Sequence, residues 1–212
     1  MKIVSVILAR GGSKGIPKKN IIPLNGKPLI SYTIESSIKS NIEQTWVSTD
    51  CEEIKKASKT FGVNVIDRPS KISGDKSKSE EALLDFAKQI DFDVVVFIQP
   101  TSPLLNSTDI KEALEIMKNK KLDSIFSVYK EHWIPRWTLE EKPHNWDTNN
   151  RPMRQDIPEQ YVENGAFYIT TKKSLLESKL RYSGNIGVYK MPMLRSFQID
   201  TLEDLKLIEK LL

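Results

Sequence analysis

The run Val4-Ser5-Val6-Ile7-Leu8-Ala9 empties into Arg10-Gly11-Gly12-Ser13-Lys14-Gly15-Ile16-Pro17-Lys18-Lys19-Asn20, and it constrains the fold of this chain more than any other stretch. A short run that is mostly apolar and rich in β-branched residues makes a strand buried on both faces, which places it inside a sheet covered by helices. The loop that follows carries three glycines and four cations. Glycine lets backbone N–H groups approach phosphate oxygens closely, and Arg10, Lys14, Lys18 and Lys19 add charge that N–H groups alone do not supply. The spacing is neither that of a Walker P-loop, where Lys and Ser/Thr follow the last glycine, nor Gly-x-Gly-x-x-Gly. An ordinary solvated basic turn is the bland alternative to an anion cradle.

The rest of the chain repeats strand and helix. Residues 28–40 place Leu29, Ile30, Ile34 and Ile38 at helical spacing after the turn Asn25-Gly26-Lys27. A strand follows over 44–48, and Thr49-Asp50 caps a helix beginning near Glu52. Residues 63–67 are a short strand, 70–79 a polar loop carrying Asp75, Ser77 and Ser79, and 80–90 an amphipathic helix. Asp93-Val94-Val95-Val96-Phe97-Ile98 is the second strongly buried strand and empties into Gln99-Pro100-Thr101-Ser102-Pro103-Leu104. Ser107-Thr108-Asp109 caps a helix to residue 119, and a strand follows over 123–129. From 130 to 160 the periodicity fails: the segment holds Trp133, Trp137, Trp146, both histidines and four prolines, and it reads as an excursion from the sheet. Strands over 161–170 and 187–191, an extended piece over 197–201 and a last helix over 202–212 complete the chain. Such alternation implies a three-layer α/β fold with a mostly parallel sheet and ligands at the carboxyl ends of its strands. Three polar loops, after Ala9, Ser48 and Ile98, then converge on one crevice.

With 212 residues the chain has room for one domain with a small appendage. A formal charge of +4, concentrated in one loop, argues against a nucleic-acid protein. The lone Cys51 excludes an internal disulfide and a cysteine metal cluster, and fits a reducing compartment. The first apolar run is too short to span a bilayer. A cytoplasmic protein with no membrane partner is expected.

Several blocks resemble one family in register over essentially the whole chain. They are Ala9-Arg10-Gly11-Gly12-Ser13-Lys14-Gly15-Ile16-Pro17-x-Lys19-Asn20, Val47-Ser48-Thr49-Asp50, Gln99-x-Thr101-Ser102-Pro103, Arg151-Pro152-Met153-Arg154-Gln155-Asp156, Tyr161-x-Glu163-Asn164-Gly165 and Ile199-Asp200. Together they look like the CMP-N-acylneuraminate synthetases, or acylneuraminate cytidylyltransferases. The resemblance implies a Rossmann-like nucleotidyltransferase fold. It also implies a reaction in which the anomeric hydroxyl of a nine-carbon α-keto acid sugar, sialic acid or related legionaminic or pseudaminic acid, attacks the α-phosphate of CTP to give CMP-sugar and pyrophosphate. Arg10, Lys14 and Lys19 would hold the phosphates as the catalytic cations. Ala9, Gly11, Gly12, Ser13, Asn20, Arg68, Asp75, Ser77 and Ser79 would form the CTP side. Gln99, Ser102, Arg154 and Asn164 would face the sugar acid, with Arg154 donating to the carboxylate of that acid, since a guanidinium fork pairs bidentately with carboxylate. Mg²⁺ or Mn²⁺ would sit at Asp200. The resemblance further implies a homodimer, the 130–163 excursion serving as an arm exchanged between subunits that brings residues near Arg136 and Arg154 to the partner's sugar site.

One departure concerns the metal. The family usually ends in an Asp-x-Asp pattern, whereas this chain has Gln198 before Asp200, and an amide oxygen is a weaker ligand than a carboxylate. Structural alternatives stand beside the functional ones: Arg68 as a surface arginine, Gln99 as a partner for backbone groups, Asn164 as a turn residue, Asp200 as a helix-start acid and the tryptophans as packing. The competing functions are transfer to another sugar or a sugar phosphate, and a non-catalytic nucleotide-binding paralogue.

Overall fold

Strand and helix alternate from Ile3 to Asn119 as the spacing predicts. The computed structural model describes residues 1–132 and 135–212, so Trp133 lies outside the described residues. In chain order the elements are β1 (Ile3–Leu8), β2 (Pro23–Leu24), β3 (Lys27–Pro28), α1 (Leu29–Lys39), β4 (Gln44–Thr49), α2 (Glu52–Lys59), β5 (Asn64–Asp67), α3 (Ser79–Gln89), β6 (Val94–Ile98) and α4 (Ser107–Asn119). They continue with β7 (Ser124–Glu131), β8 (Arg136–Trp137), β9 (Pro143–His144), β10 (Gln160–Thr171), α5 (Lys172–Ser178), β11 (Ile186–Lys190) and α6 (Leu202–Glu209).

Seven strands form one sheet in the order β11-β7-β10-β6-β1-β4-β5. Every neighbouring pair is parallel except the two made by β10, which runs antiparallel to β6 and β7. The sheet is therefore mostly parallel, and β1 and β6 lie side by side at its centre, paired Val4 to Val95 and Val6 to Phe97. Both strands feed both faces. Val94, Val96 and Ile98 join one apolar cluster with Ile30 and Ile34 of α1, Ile54 of α2 and Ile110 and Met117 of α4. Val95 and Phe97 join the other with Leu83 and Phe86 of α3 and Leu175 of α5. Helices thus cover both faces, which is why these two strands carry no alternating polar positions.

Local structure departs from the sequence reading at two helix starts and sharpens it in two other places. Asn25 and Gly26, at φ 45° and 80°, turn a small hairpin between β2 and β3 that the Asn-Gly pair encodes. The first residue before α2 is Cys51, and Asp50 does not cap that helix; its Oδ1 instead accepts the Gly11 N–H at 2.8 Å. Asn106, not Ser107, caps α4, its side chain accepting the Thr108 N–H while Asp109 closes a capping box. Residues 197–201, expected as an extended piece, run outside the sheet; Ile199 donates its N–H to the Thr101 carbonyl, fastening the segment across the loop after β6.

The excursion is rooted in the sheet. Gln160 and Tyr161 pair with Glu131 and Lys130, so the ends of β7 and β10 leave together as a ribbon. Further along, β8 and β9 pair as a hairpin in which Trp137 and Trp146 meet edge to face, 5.2 Å between ring centres.

Candidate functional site

The carboxyl ends of β1, β4 and β6 lie together because those strands are adjacent and parallel. The loops after β1 and β6 line a crevice of about 490 Å³; the loop after β4, expected there as well, contributes no residue to the lining, and the segment after β5 takes its place. Arg10, Ser13, Lys14, Lys19 and Asn20 line it from the glycine loop. Arg68, Asp75, Ser77 and Ser79 line it from the segment between β5 and α3, with Ser79 opening that helix rather than ending a loop. Gln99 and Asp200 complete the wall, and Leu8 and Phe97 add its apolar patch.

The glycine loop is held in shape by three contacts. Ala9 is buried and donates its N–H to the Ser48 carbonyl, and the Gly11 N–H goes to Asp50. Asn20, also buried, donates from Nδ2 to the Arg10 carbonyl at 2.9 Å, tying the end of the loop to its start. Close approach explains two glycines: a Cβ on Gly11 would come within 2.8 Å of the Cys51 Cβ, and one on Gly15 within 2.6 Å of the Asp200 carbonyl oxygen. At Gly12 a Cβ would meet nothing within 4 Å, so close approach does not account for that glycine.

The cations divide by partner. Arg10 donates from Nη1 to the Gly74 carbonyl at 2.7 Å and sits 3.1 Å from Asp75, whose other oxygen lies 3.3 Å from Lys14. Asp75 therefore bridges two cations of the loop. Lys19 is only 15% exposed and donates from Nζ to the Ile199 carbonyl and to Asp200 Oδ1, at 3.0 and 2.8 Å. Lys18 departs from the expected cluster: it turns to Glu53 of α2 at 2.7 Å and does not line the crevice. Arg68 is not a surface arginine. Its side chain is largely buried, and Nε and Nη2 both donate to the Ile72 carbonyl. Burial lowers its pKa from the ordinary guanidinium value, and Arg10 acts in the same sense against Asp50.

On the opposite wall, Gln198 binds the loop after β6. Its Nε2 donates to Ser102 Oγ at 3.1 Å and to Gln99 Oε1 at 3.5 Å. Ser102 is 1% exposed and lies beneath Gln198, outside the crevice lining. Asn164 also lies outside that lining, with its side chain committed within the fold: Oδ1 accepts Ser127 Oγ at 2.6 Å, and Nδ2 donates to Ser196 Oγ at 2.9 Å. Arg154 lines a separate cavity of about 340 Å³ at the root of the excursion with Lys130, Glu131 and His132, and meets the His132 ring. Within one chain, Arg10, Ser13, Lys14, Lys19, Asn20, Arg68, Asp75, Ser77 and Ser79 thus converge on the crevice, whereas Ala9, Gly11 and Gly12 do not line it and Arg154 lines the other cavity. Sequence reading missed the roles of Gly15, Phe97 and Thr101, which depend on what the remote 197–200 segment and α3 bring against them.

A family model described as cytidylyltransferase matches residues 4–212. N-acylneuraminate cytidylyltransferase B of Danio rerio is 40% identical over 206 residues, covering 92% of this chain and 48% of that protein. The N-acylneuraminate cytidylyltransferase of Streptococcus agalactiae is 34% identical over 213 residues, covering 96% of this chain and 52% of its own. This chain therefore spans about half the length of the relatives it matches. Among solved structures, a CMP:2-keto-3-deoxy-manno-octonic acid synthetase complexed with CTP superposes with a TM-score of 0.76 at 19% identity, covering 100% of this chain and 98% of the other. The match of the family model along nearly the whole sequence, on a fold of the same architecture, establishes that the chain belongs to the cytidylyltransferase family.

Proposed function

We propose that the protein joins CTP to a nine-carbon α-keto acid sugar, sialic acid or a legionaminic or pseudaminic relative, releasing pyrophosphate. The observation that carries this reading is the gathering of Arg10, Lys14 and Lys19 on one crevice wall facing Gln99 and Asp200. Phosphoryl transfer depends mainly on positioning and on neutralising phosphate charge, and a set of cations at a glycine loop suits it. In this reading Arg10, Lys14 and Lys19 grip the triphosphate with the N–H groups of Gly12 and Ser13, while Asn20, Arg68, Ser77 and Ser79 cradle the cytidine. The anomeric oxygen of the acid attacks the α-phosphorus, the bond from that phosphorus to the bridging oxygen of the β-phosphate breaks, pyrophosphate leaves, and the hydroxyl proton passes to solvent. Relatives named N-acylneuraminate cytidylyltransferase support the choice of acceptor.

Among the described residues no group of three or more His, Cys, Asp or Glu side chains could hold a metal ion. Of the two carboxylates that line the crevice, Asp75 is engaged by Arg10 and Lys14, while Asp200 is 69% exposed and paired to Lys19. That suits Mg²⁺ or Mn²⁺ bound jointly by one carboxylate, triphosphate oxygens and water, where the ion would neutralise phosphate charge. Arg154 lies in its own cavity, so its pairing with the sugar carboxylate requires a second copy of the chain, and the homodimer belongs to this proposal. No helix of the described residues is long and apolar enough to cross a membrane; a cytoplasmic setting is part of the same reading.

The test is pyrophosphate release from CTP and Mg²⁺ with a panel of sialic, legionaminic and pseudaminic acids. Release with at least one acid, and CTP preferred over UTP and GTP, is expected. Silence with every acid, or a preference for another nucleotide, overturns the reading.

A further inference from the structure

Gln198 sits where its amide can set the polarity of a second amide that lines the crevice. Two hydrogens leave its Nε2, and the two acceptors in reach are Ser102 Oγ at 3.1 Å and Gln99 Oε1 at 3.5 Å. The position is pinned from three sides. Ser102 is buried, Ile199 is held to the Thr101 carbonyl, and Gln198 lies against Gly165, whose φ of 69° and missing side chain leave it room; a Cβ there would come within 2.7 Å of Nε2. An amide carries its oxygen and its NH₂ on opposite branches, so the branch turned to a neighbour decides what the other presents.

We propose that Gln198 is a positioning residue: by donating to Gln99 Oε1 it turns the Gln99 NH₂ into the crevice, where it offers N–H donors to acceptor oxygens of the sugar acid. The substrate class rests on the function proposed above; the amide polarity rests on geometry alone. Donors on this wall match a carboxylate and hydroxyl-rich acid better than acceptors would, because a buried carbonyl facing a carboxylate leaves both unsatisfied. The position occupied by Gln198 thus acts as a hydrogen-bond donor that organises the acceptor side, with its nitrogen engaged by protein.

Kinetics and NMR test it separately. Gln198→Glu replaces the donor by an acceptor and forces the Gln99 amide to turn over; it should raise KM for the acid by about tenfold or more. Under the same change KM for CTP should move by no more than about twofold. Gln198→Met, which removes the bond but imposes no polarity, should raise KM for the acid less than Gln198→Glu does. In a Gln99→Met background the Gln198→Glu change should add no further loss, because the two act as one unit. Equal effects on both substrates, additivity with Gln99→Met, or a changed Mg²⁺ requirement with an unchanged KM for the acid would overturn the proposal. Side-chain amide exchange in isotope-labelled wild type needs no turnover: Gln198 NH₂ protons should be protected and Gln99 NH₂ protons should exchange freely. The reverse pattern refutes the assigned polarity even if no acid supports pyrophosphate release, and that silence alone would count against the function.

Discussion

Asp75 is the residue whose placement changes how the crevice reads. The sequence puts it in a loop beside the expected nucleotide, yet its carboxylate bridges Arg10 and Lys14, the cations a triphosphate would need. Asp75→Asn should therefore tighten CTP binding by about two- to fivefold, the ~0.4–1 kcal/mol upper part of the range for an exposed ion pair, as read by calorimetry. Weaker binding would mean that Asp75 touches the nucleotide itself. Gly15 makes a second case. Because a Cβ there would lie 2.6 Å from the Asp200 carbonyl, Gly15→Ala should displace the 199–200 segment and reduce turnover by about tenfold or more. The accompanying loss of stability in urea should stay near 1–3 kcal/mol. Residue types were largely legible in the sequence, since cations between glycines after a buried strand already signal an anion site. Their partners were not: the engagement of Lys18 by Glu53 and of Asp50 by Gly11 depends on which loops the sheet order brings together.

At the level of elements, burial pattern located strands and helices well because β1 and β6 are covered on both faces. Caps shifted by a residue where several Asn, Ser, Thr and Asp stand in a row, as at Asn106, since each can serve and packing selects one. Antiparallel β10 within a parallel sheet carries no separate sequence signature, as its apolar residues read like those of its neighbours. The segment after β11 shows how a remote element supports the site. Arg195 forks onto buried Asp109 of α4, with Nη2 at 2.8 Å from Oδ1, and Tyr189 of β11 donates to the same oxygen. That fork anchors the turn over Met193–Arg195, from which Gln198 and Asp200 continue. Arg195→Met should cost about 2 kcal/mol in urea denaturation and lower activity as well. Full stability in that variant would show that the fork anchors nothing.

Across the whole molecule, two cavities stand apart: the crevice at the strand ends and the smaller one around Arg154. If the excursion delivers Arg154 to a second copy, sedimentation at low micromolar concentration should give about twice the 24.3 kDa of one chain. A monomer under those conditions, fully active, would assign the sugar carboxylate to another cation. This proposed arrangement comes from family resemblance, because an irregular aromatic segment states only that a surface exists, not what meets it. The central claim is that the crevice holds CTP and passes its CMP group to a nine-carbon acid, and the most direct measurement follows CTP radiolabelled at its α-phosphate. The label should move into a CMP-sugar as unlabelled pyrophosphate appears in equal amount. A label that stays in CTP with every nine-carbon acid supplied would contradict the account.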